Sequence, residues 1–564
     1  MVNLKKFILL GLILYSTQNL YSQNYFASPI KEKIVLSGTF GELRKNHFHS
    51  GLDIKTNGKV GMNVYASADG YISRIKISHY GYGKALYITH PNGYTTVYAH
   101  LYKFSPEIEK YIKSKQYKKE TYEIQLFPTK NSLKVKKNEF IAFSGNTGGS
   151  SGPHLHFEIR DRNERPINPM LFGIDVDDQI RPKIYDVFAY PISKKSQVNG
   201  SSKRIKLKLT KKSDGEYITS TVFANGKIGF GIIANDKLDY ANNKNGLSQI
   251  NTFFNNQKKF EARFDRFSFA ESKHINKYID YEYYNLKGKR IQKLFINNKS
   301  YLSLLKTDIE NGQLNILNSS ESSYLIEIKD FKGNMTHVEI PIKYKPMKII
   351  DDIKNDYKHT FINSKKDTVL GNKKNYINIT NNTFYEDVKI NFKIKNDTLK
   401  IHEPTIPLQK PIEINFNIEE YNENEKKFIF IARIDNLGKI KYCSTEKNGN
   451  SLKTKTKNLG TYTLSKDKKG PKIKAINFSD LDWISNEKYL KIKIEDDISG
   501  IKDYKATVNG NWILMEYDPK SNTLTHDFSD GVINKVENRL SVIVTDNMGN
   551  SSKFESCFYR SLKN

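Results

Sequence analysis

The chain has 564 residues, 38% of them hydrophobic and 12% aromatic, with a formal net charge of +29. That length exceeds what one hydrophobic core supports, so several domains are expected, and the many Tyr and Phe favour pleated sheet over helical bundles, which makes the chain mostly β. So positive a charge raises nucleic acid as a partner, but the excess is Lys dispersed among Asn and Ile with no recognisable nucleic-acid module, so no nucleic acid is expected and association with an acidic cell envelope is.

In chain order, residues 1–22 have the pattern of a secretory signal peptide. Lys5 and Lys6 precede an apolar run from Phe7 to Tyr15, and Leu20 and Ser22 fit cleavage just before Gln23. The run is short for a bilayer span, no Cys near the cleavage point invites a lipid, and no later stretch is apolar enough to span. An exported protein of the periplasm or cell envelope, or a secreted one, is the expectation. Residues 28–175 form the first expected domain, built of strands and hairpins. VYASADGYISRIKIS, KALYITHPNGYTTVYAHL and NEFIAFSGNTGGSSGPHLHFEIR alternate between apolar and polar and are punctuated by glycine turns. SPEIEKYIKSKQYKKETYEIQLFP, charged and without tight turns, is a partly helical excursion from those strands.

Past Pro166 and Pro169 the chain turns to short strands with Asn, Lys and Gly turns, expected as a β-sandwich over 180–345 and immunoglobulin-like sandwiches over 346–468 and 470–564. LIEIKDFKGN, FIARIDNLGK and VIVTDNMGN each end an alternating strand in Asp-x-x-Gly followed by Asn or Lys. Their separation, about 100 residues, is the length of one sandwich, and the turn is expected to join two late strands of each. Cys443 and Cys557 are the only cysteines; distant in sequence, they suggest no metal knuckle, and their pairing is left open.

Seven of the twelve histidines, His47, His49, His79, His90, His100, His154 and His156, fall in the first domain. In a strand, His154 and His156 project to one face while Phe157 and Ile159 enter the opposite, apolar one. His49 and Asp53 add an imidazole and a carboxylate around Gly51, which relaxes the turn. Two imidazoles and a carboxylate leave the fourth tetrahedral position of a zinc ion open for water, the arrangement of a catalytic site. His47 alternates with His49 across Phe48, and spacing does not separate the two. His100 is either a third imidazole at the groove or a structural residue. His79 and His90 sit beside turns and are given a structural role. Glu158 shares the face of His156, where a solvated rim carboxylate is expected over one that orients the imidazole.

H-S-G-L-D at His49 to Asp53, Y-A-H-L around His100 and G-P-H-L-H-F-E at Gly152 to Glu158 resemble, in order, the three signatures of the LytM-type, or M23, zinc metallopeptidases. The resemblance covers residues 35 to 173. It implies zinc ligands His49, Asp53 and His156, with His49 preferred to His47, and catalytic roles for His100 and His154. It further implies a small antiparallel sheet crossed by a groove, and the peptide of peptidoglycan as substrate. The expectation is an exported, zinc-dependent endopeptidase that hydrolyses wall cross-bridges, either a D-alanyl to diaminopimelate link or a glycine bridge. The alternative is an inactive relative that binds wall peptide or activates another hydrolase. With no HExxH glutamate present, one of His100 and His154 would take the proton from water while the other supports the oxyanion. The charged excursion departs from the family pattern and bears on groove shape. Partners of the C-terminal sandwiches are not legible.

Overall fold

The computed structural model describes residues 25–297, 299–317, 321–349 and 359–561, so the expected signal peptide lies outside the described residues. The chain divides into two compact units, Met1–Tyr111 with Ile124–Ile353, and Ile112–Glu123 with Lys354–Asn564. Among the described residues no helix is long and apolar enough to cross a membrane. The protein is mostly β, built from several antiparallel sheets.

The first unit begins with strands β1 (Leu36–Gly38), β2 (Leu52–Lys55), β3 (Asn63–Tyr65), β4 (Gly70–Ile77), β5 (Lys84–Thr89) and β6 (Thr95–Ala99). Strands β7 (Ile124–Leu126), β8 (Phe140–Phe143) and β9 (His154–Arg160) complete its set, and helix α1 (Pro106–Lys119) lies between β6 and β7 in sequence, its residues from Ile112 on belonging to the second unit. The main sheet runs β1-β2-β9-β6-β5-β4-β7, and β8 pairs with β3 in a small second sheet. Strand β9 is central, and its two faces differ as the alternation of HLHFEIR requires. Leu155, Phe157 and Ile159 are fully buried in the core, with Phe157 against Tyr98 at 5.4 Å between ring centroids. His154, His156, Glu158 and Arg160 occupy the other face. The charged excursion folds as α1. Glu107 and Glu109 in its first turn and Lys118 and Lys119 in its last complement the helix dipole.

The same unit continues into a second sheet. Its central strands are β10 (Lys183–Pro191), β11 (Val222–Asn235), β12 (Gln249–Phe254), β13 (Glu321–Lys329) and β14 (Met335–Tyr344), in the order β10-β11-β14-β13-β12. Phe230 and Tyr324, both fully buried, stack at 4.7 Å in its core. This sheet is welded to the first by aromatic packing. Phe40 meets Phe267 at 5.1 Å, and Phe48 meets Phe267 at 5.5 Å and Phe264 at 6.0 Å. Gly41 lies so close to Phe264 that an added Cβ would come within 2.7 Å of the Phe264 Cβ, and its φ of +75° suits glycine as well. Backbone donors seal the seam: Phe48 N–H to Ser272 Oγ at 2.8 Å and Gly246 N–H to Thr39 Oγ1 at 2.9 Å.

In the second unit, two five-stranded sheets enclose one core that includes Ile377, Ile414 and Phe416 from one side and Leu399, Ile431 and Tyr462 from the other. A four-stranded and a five-stranded sheet enclose another, with Leu490, Ile492 and Leu524 facing Val508, Val542 and Val544. All three Asp-x-x-Gly segments are hairpin turns of one design. The aspartate at 330, 435 or 546 accepts the backbone N–H of the residue four later at 2.9 Å, between adjacent antiparallel strands. Cys443 and Cys557 are free thiols.

Candidate metal centre

Register brings the site together. On β9, His156 stands directly opposite Asp53 of β2 and Ala99 of β6, and His154 stands opposite Lys55. Residues directly opposite share a face of the sheet, so Asp53 and both histidines project into one groove. His100 follows β6 with a φ of +59°, which turns its ring back over that face. His49 arrives on the loop before β2, a loop tied by the mutual backbone bonds of Gly41 and Glu42 with His49, each 2.9 Å.

Three donor atoms converge. His49 Nε2 lies 2.9 Å from Asp53 Oδ1 and 3.1 Å from His156 Nδ1, and His156 Nδ1 lies 2.9 Å from Asp53 Oδ1. Zinc–ligand bonds of about 2.0–2.1 Å give a tetrahedral edge of roughly 3.3 Å, so this triangle matches one face of a zinc tetrahedron. Tautomers are set to suit: His49 Nδ1–H donates to Thr39 O at 2.7 Å, and His156 Nε2–H donates to Glu158 Oε1 at 2.8 Å. Each ring therefore turns a lone pair toward the same point. Arg44 Nη2 holds Asp53 Oδ2 at 3.0 Å and leaves Oδ1 for the centre. Gly38 makes room for that pair, since a Cβ there would lie 2.4 Å from Arg44 Nη2 and 2.7 Å from Asp53 Oδ2.

Two further imidazoles rim the triangle. His100 Nδ1–H donates to Thr147 O at 2.8 Å and His154 Nδ1–H to Gly152 O at 2.8 Å, so both present a bare Nε2. Their rings are 4.8 Å apart, and His154 Nε2 is 3.4 Å from Asp53 Oδ1. Burial, then the neighbouring His156 and His154, push His100 down to about 3, so it is neutral near pH 7. For Asp53, burial works to raise the carboxyl, but the facing imidazoles of His49, His154 and His156 hold it well below the carboxylate range.

Glu158 is a correction to the sequence reading. It is not at a solvated rim but 0% exposed beneath His156. Arg160 Nε donates to its Oε2 at 2.6 Å and Ser50 Oγ to its Oε1 at 2.6 Å, and Tyr82 OH bonds it as well. Tyr82 also stacks on His156 at 5.2 Å. Tyr82, Ser50, Arg160 and Arg44 were missed because nothing in their spacing marks them; only the i, i+2 relation of Glu158 to Arg160 was visible. Gly51 needs a different reason from the one given by sequence. It is not a left-handed turn residue; a Cβ there would lie 2.3 Å from the Phe157 carbonyl oxygen, so glycine lets β2 and β9 close. His47 is exposed, bonded to Lys45 O at 2.8 Å, and outside the triangle. His90 is structural, spanning Asp69 O and Thr96 Oγ1 at 2.8 Å each.

The centre opens into a groove of about 1190 Å³. One wall is the Gly149–His154 loop. Another comes from beyond the first sheet: Asn243, Lys244, Phe269, Ser272 and Lys273.

The profile of peptidase family M23 matches residues 47–117 and 112–169, and that of a Zu5-like domain matches residues 359–467. The DD-carboxypeptidase/endopeptidase Mpg of Neisseria meningitidis serogroup B is 38% identical over 126 residues, 22% of this chain and 23% of that protein. The peptidoglycan DD-endopeptidase ShyA of Vibrio cholerae is 31% identical over 161 residues, 28% of this chain and 31% of that one. The matches thus span about a quarter of this chain and under a third of these relatives. A zinc containing peptidase from Vibrio cholerae superposes with a TM-score of 0.20 at 28% identity, covering 27% of this chain and 41% of that one.

Proposed function

Because residues 47–169 are a domain of peptidase family M23, we propose that the protein is an exported, zinc-dependent endopeptidase that cuts peptide cross-bridges of bacterial peptidoglycan. The observation that carries this reading is the convergence of His49 Nε2, Asp53 Oδ1 and His156 Nδ1 within 3.1 Å, with two more imidazoles alongside. Three ligands with one open position are the donor set of a catalytic zinc, and zinc held there would supply Lewis acidity toward the scissile carbonyl and a water acidic enough to ionise near pH 7.

The chain's own residues supply the rest. His100 and His154 each offer Nε2 with Nδ1–H anchored on a backbone carbonyl, so each can accept a proton at Nε2 without the ring turning. One takes the proton of the attacking water at Nε2 and returns it to the leaving amine; the other supports the oxyanion once it carries a proton at its own Nε2. Glu158, fixed by Arg160, Ser50 and Tyr82, holds His156 in its tautomer. The relatives named DD-endopeptidases favour a bond between two D-residues over a glycine bridge.

The test measures zinc content and muropeptide release for the full chain beside His156→Ala and His154→Ala, on D-alanyl cross-linked and on glycine-bridged wall. His156→Ala is expected to lose zinc and turnover, and His154→Ala to keep zinc and lose turnover. A native chain that binds no zinc and releases nothing would leave the wall-peptide-binding alternative instead.

A further inference from the structure

Away from the groove, three buried carboxylates meet. Asp178 precedes β10, Asp236 follows β11 and Asp330 opens the turn between β13 and β14. One oxygen from each lies within 4.8 Å of one from each of the others. They are 8%, 2% and 3% exposed, and among the described residues none forms an ion pair. Asp236 Oδ1 and Asp330 Oδ2 are buried without a hydrogen-bond partner. A fourth buried side chain lies beside Asp236. Asn245 is bridged directly across from Asp236 by two backbone bonds, 3.0 and 2.9 Å, so the two side chains lie on one face. Asn245 is 2% exposed, and neither its Oδ1 nor its Nδ2 has a partner.

Unpaired oxygens gathered in a buried pocket are costly unless a cation or protons balance them. Burial first, then like charge across the cluster, raises the carboxyl groups of Asp178 and Asp236 above the ordinary range. The turn itself does not require the acids. Asp435 makes the same turn, and no acidic cluster forms around it among the described residues. Where a cluster does recur, so does the sequence frame. Asp178-Gln-Ile-Arg-Pro-Lys-Ile and Asp467-Lys-Lys-Gly-Pro-Lys-Ile both read Asp-x-x-x-Pro-Lys-Ile, and Asp330 and Asp546 both begin Asp-x-x-Gly-Asn. Asp467, Asp496 and Asp546 again bring carboxylate oxygens within 4.8 Å of one another.

We propose that Asp178, Asp236, Asp330 and Asn245 form a calcium site in the domain that follows the peptidase sheet. An all-oxygen set of three carboxylates and an amide carbonyl is the choice of a hard cation. Calcium takes six to eight such ligands, whereas magnesium keeps most of its waters and rarely sits in an all-protein cage. Affinities on the order of 10⁻⁴–10⁻³ M are typical of extracellular modules.

The test uses the full chain with zinc supplied throughout, so the outcome is independent of peptidase activity. Bound calcium is counted by equilibrium dialysis for the native protein and for the Asp236→Asn/Asp330→Asn double variant, with melting followed with and without calcium. The variant is expected to bind one calcium fewer per chain, and any ion at the Asp467 cluster cancels in the difference. Calcium should raise the native melting temperature and raise that of the variant less. Without calcium the variant should melt no lower than the native chain, because it has lost two like charges. Asn245→Ala should weaken calcium binding without abolishing it. Equal calcium counts in native and variant chains overturn the proposal, as does displacement of the ion by equimolar magnesium. A variant that melts well below the native chain without calcium also overturns it, since the cluster would then be a protonated hydrogen-bond network.

Discussion

Glu158 carries more of the site than its position suggests, because it fixes the His156 tautomer and is itself neutralised by Arg160. Glu158→Gln keeps the shape and loses the charge, so zinc affinity measured by competition with a chelator is expected to fall about 10- to 100-fold while the protein stays folded. Glu158→Ala strands a guanidinium that is mostly buried, at a cost on the order of 3–5 kcal/mol in chemical denaturation. His90 makes a prediction about pH. Burial lowers its pKa in the folded chain, so the stability it contributes is present above the ordinary value of 6.5 and is lost as pH falls below it. His90→Gln should flatten the fall in melting temperature between pH 7 and pH 5; an unchanged slope would count against it. The triangle of His49, Asp53 and His156 was legible in the sequence through the motifs that resemble the family; spacing alone left His47 and His49 unseparated. The supports of the triangle were not. Arg44 and Tyr82 reach the site through a loop and a sheet register that no local spacing encodes.

Among the elements, the β2–β9 pair sets the Asp53 and His156 corners of the triangle, and its closeness depends on Gly51. Gly51→Ala would drive a methyl group against the Phe157 carbonyl, a backbone atom that cannot swing aside. The strands must part, and the expected result is loss of zinc with the rest of the sheet intact, seen as an unchanged far-ultraviolet spectrum and no bound metal. The alternation of HLHFEIR foretold which side chains face the core and which the groove, since period-two patterning survives wherever one face is buried. It said nothing of Glu158's depth, because strand alternation gives a face and not a distance from solvent. The Asp-x-x-Gly turns were equally legible as hairpins. That two of them anchor acidic clusters was not, because the partners come from segments up to 152 residues away, as between Asp178 and Asp330.

For the whole molecule, the seam of Phe40 and Phe48 on Phe264 and Phe267 joins the sheet that carries the His49, Asp53 and His156 triangle to the one after it in a single compact unit. A chain ended after Gly173 would expose that aromatic surface, worth about 1.5–3 kcal/mol for each Phe uncovered. Relative to the full chain, the transition of the metal-bearing part is expected to drop on the order of 10 °C; an unshifted transition would show that the seam adds nothing. The same joining has a mechanical consequence. The backbone bridge between Asp236 and Asn245 closes a loop whose Asn243 and Lys244 line the groove, so the acidic cluster sits at the root of a loop whose tip forms part of the groove wall. If the groove takes wall peptide as proposed, loosening the root is expected to raise KM for muropeptides in Asp236→Asn with little change in kcat, because this loop lines the groove and supplies none of the His49, Asp53 and His156 triangle. An ion held at that root would stiffen the loop, so occupancy of the acidic cluster and the shape of the groove are expected to be coupled.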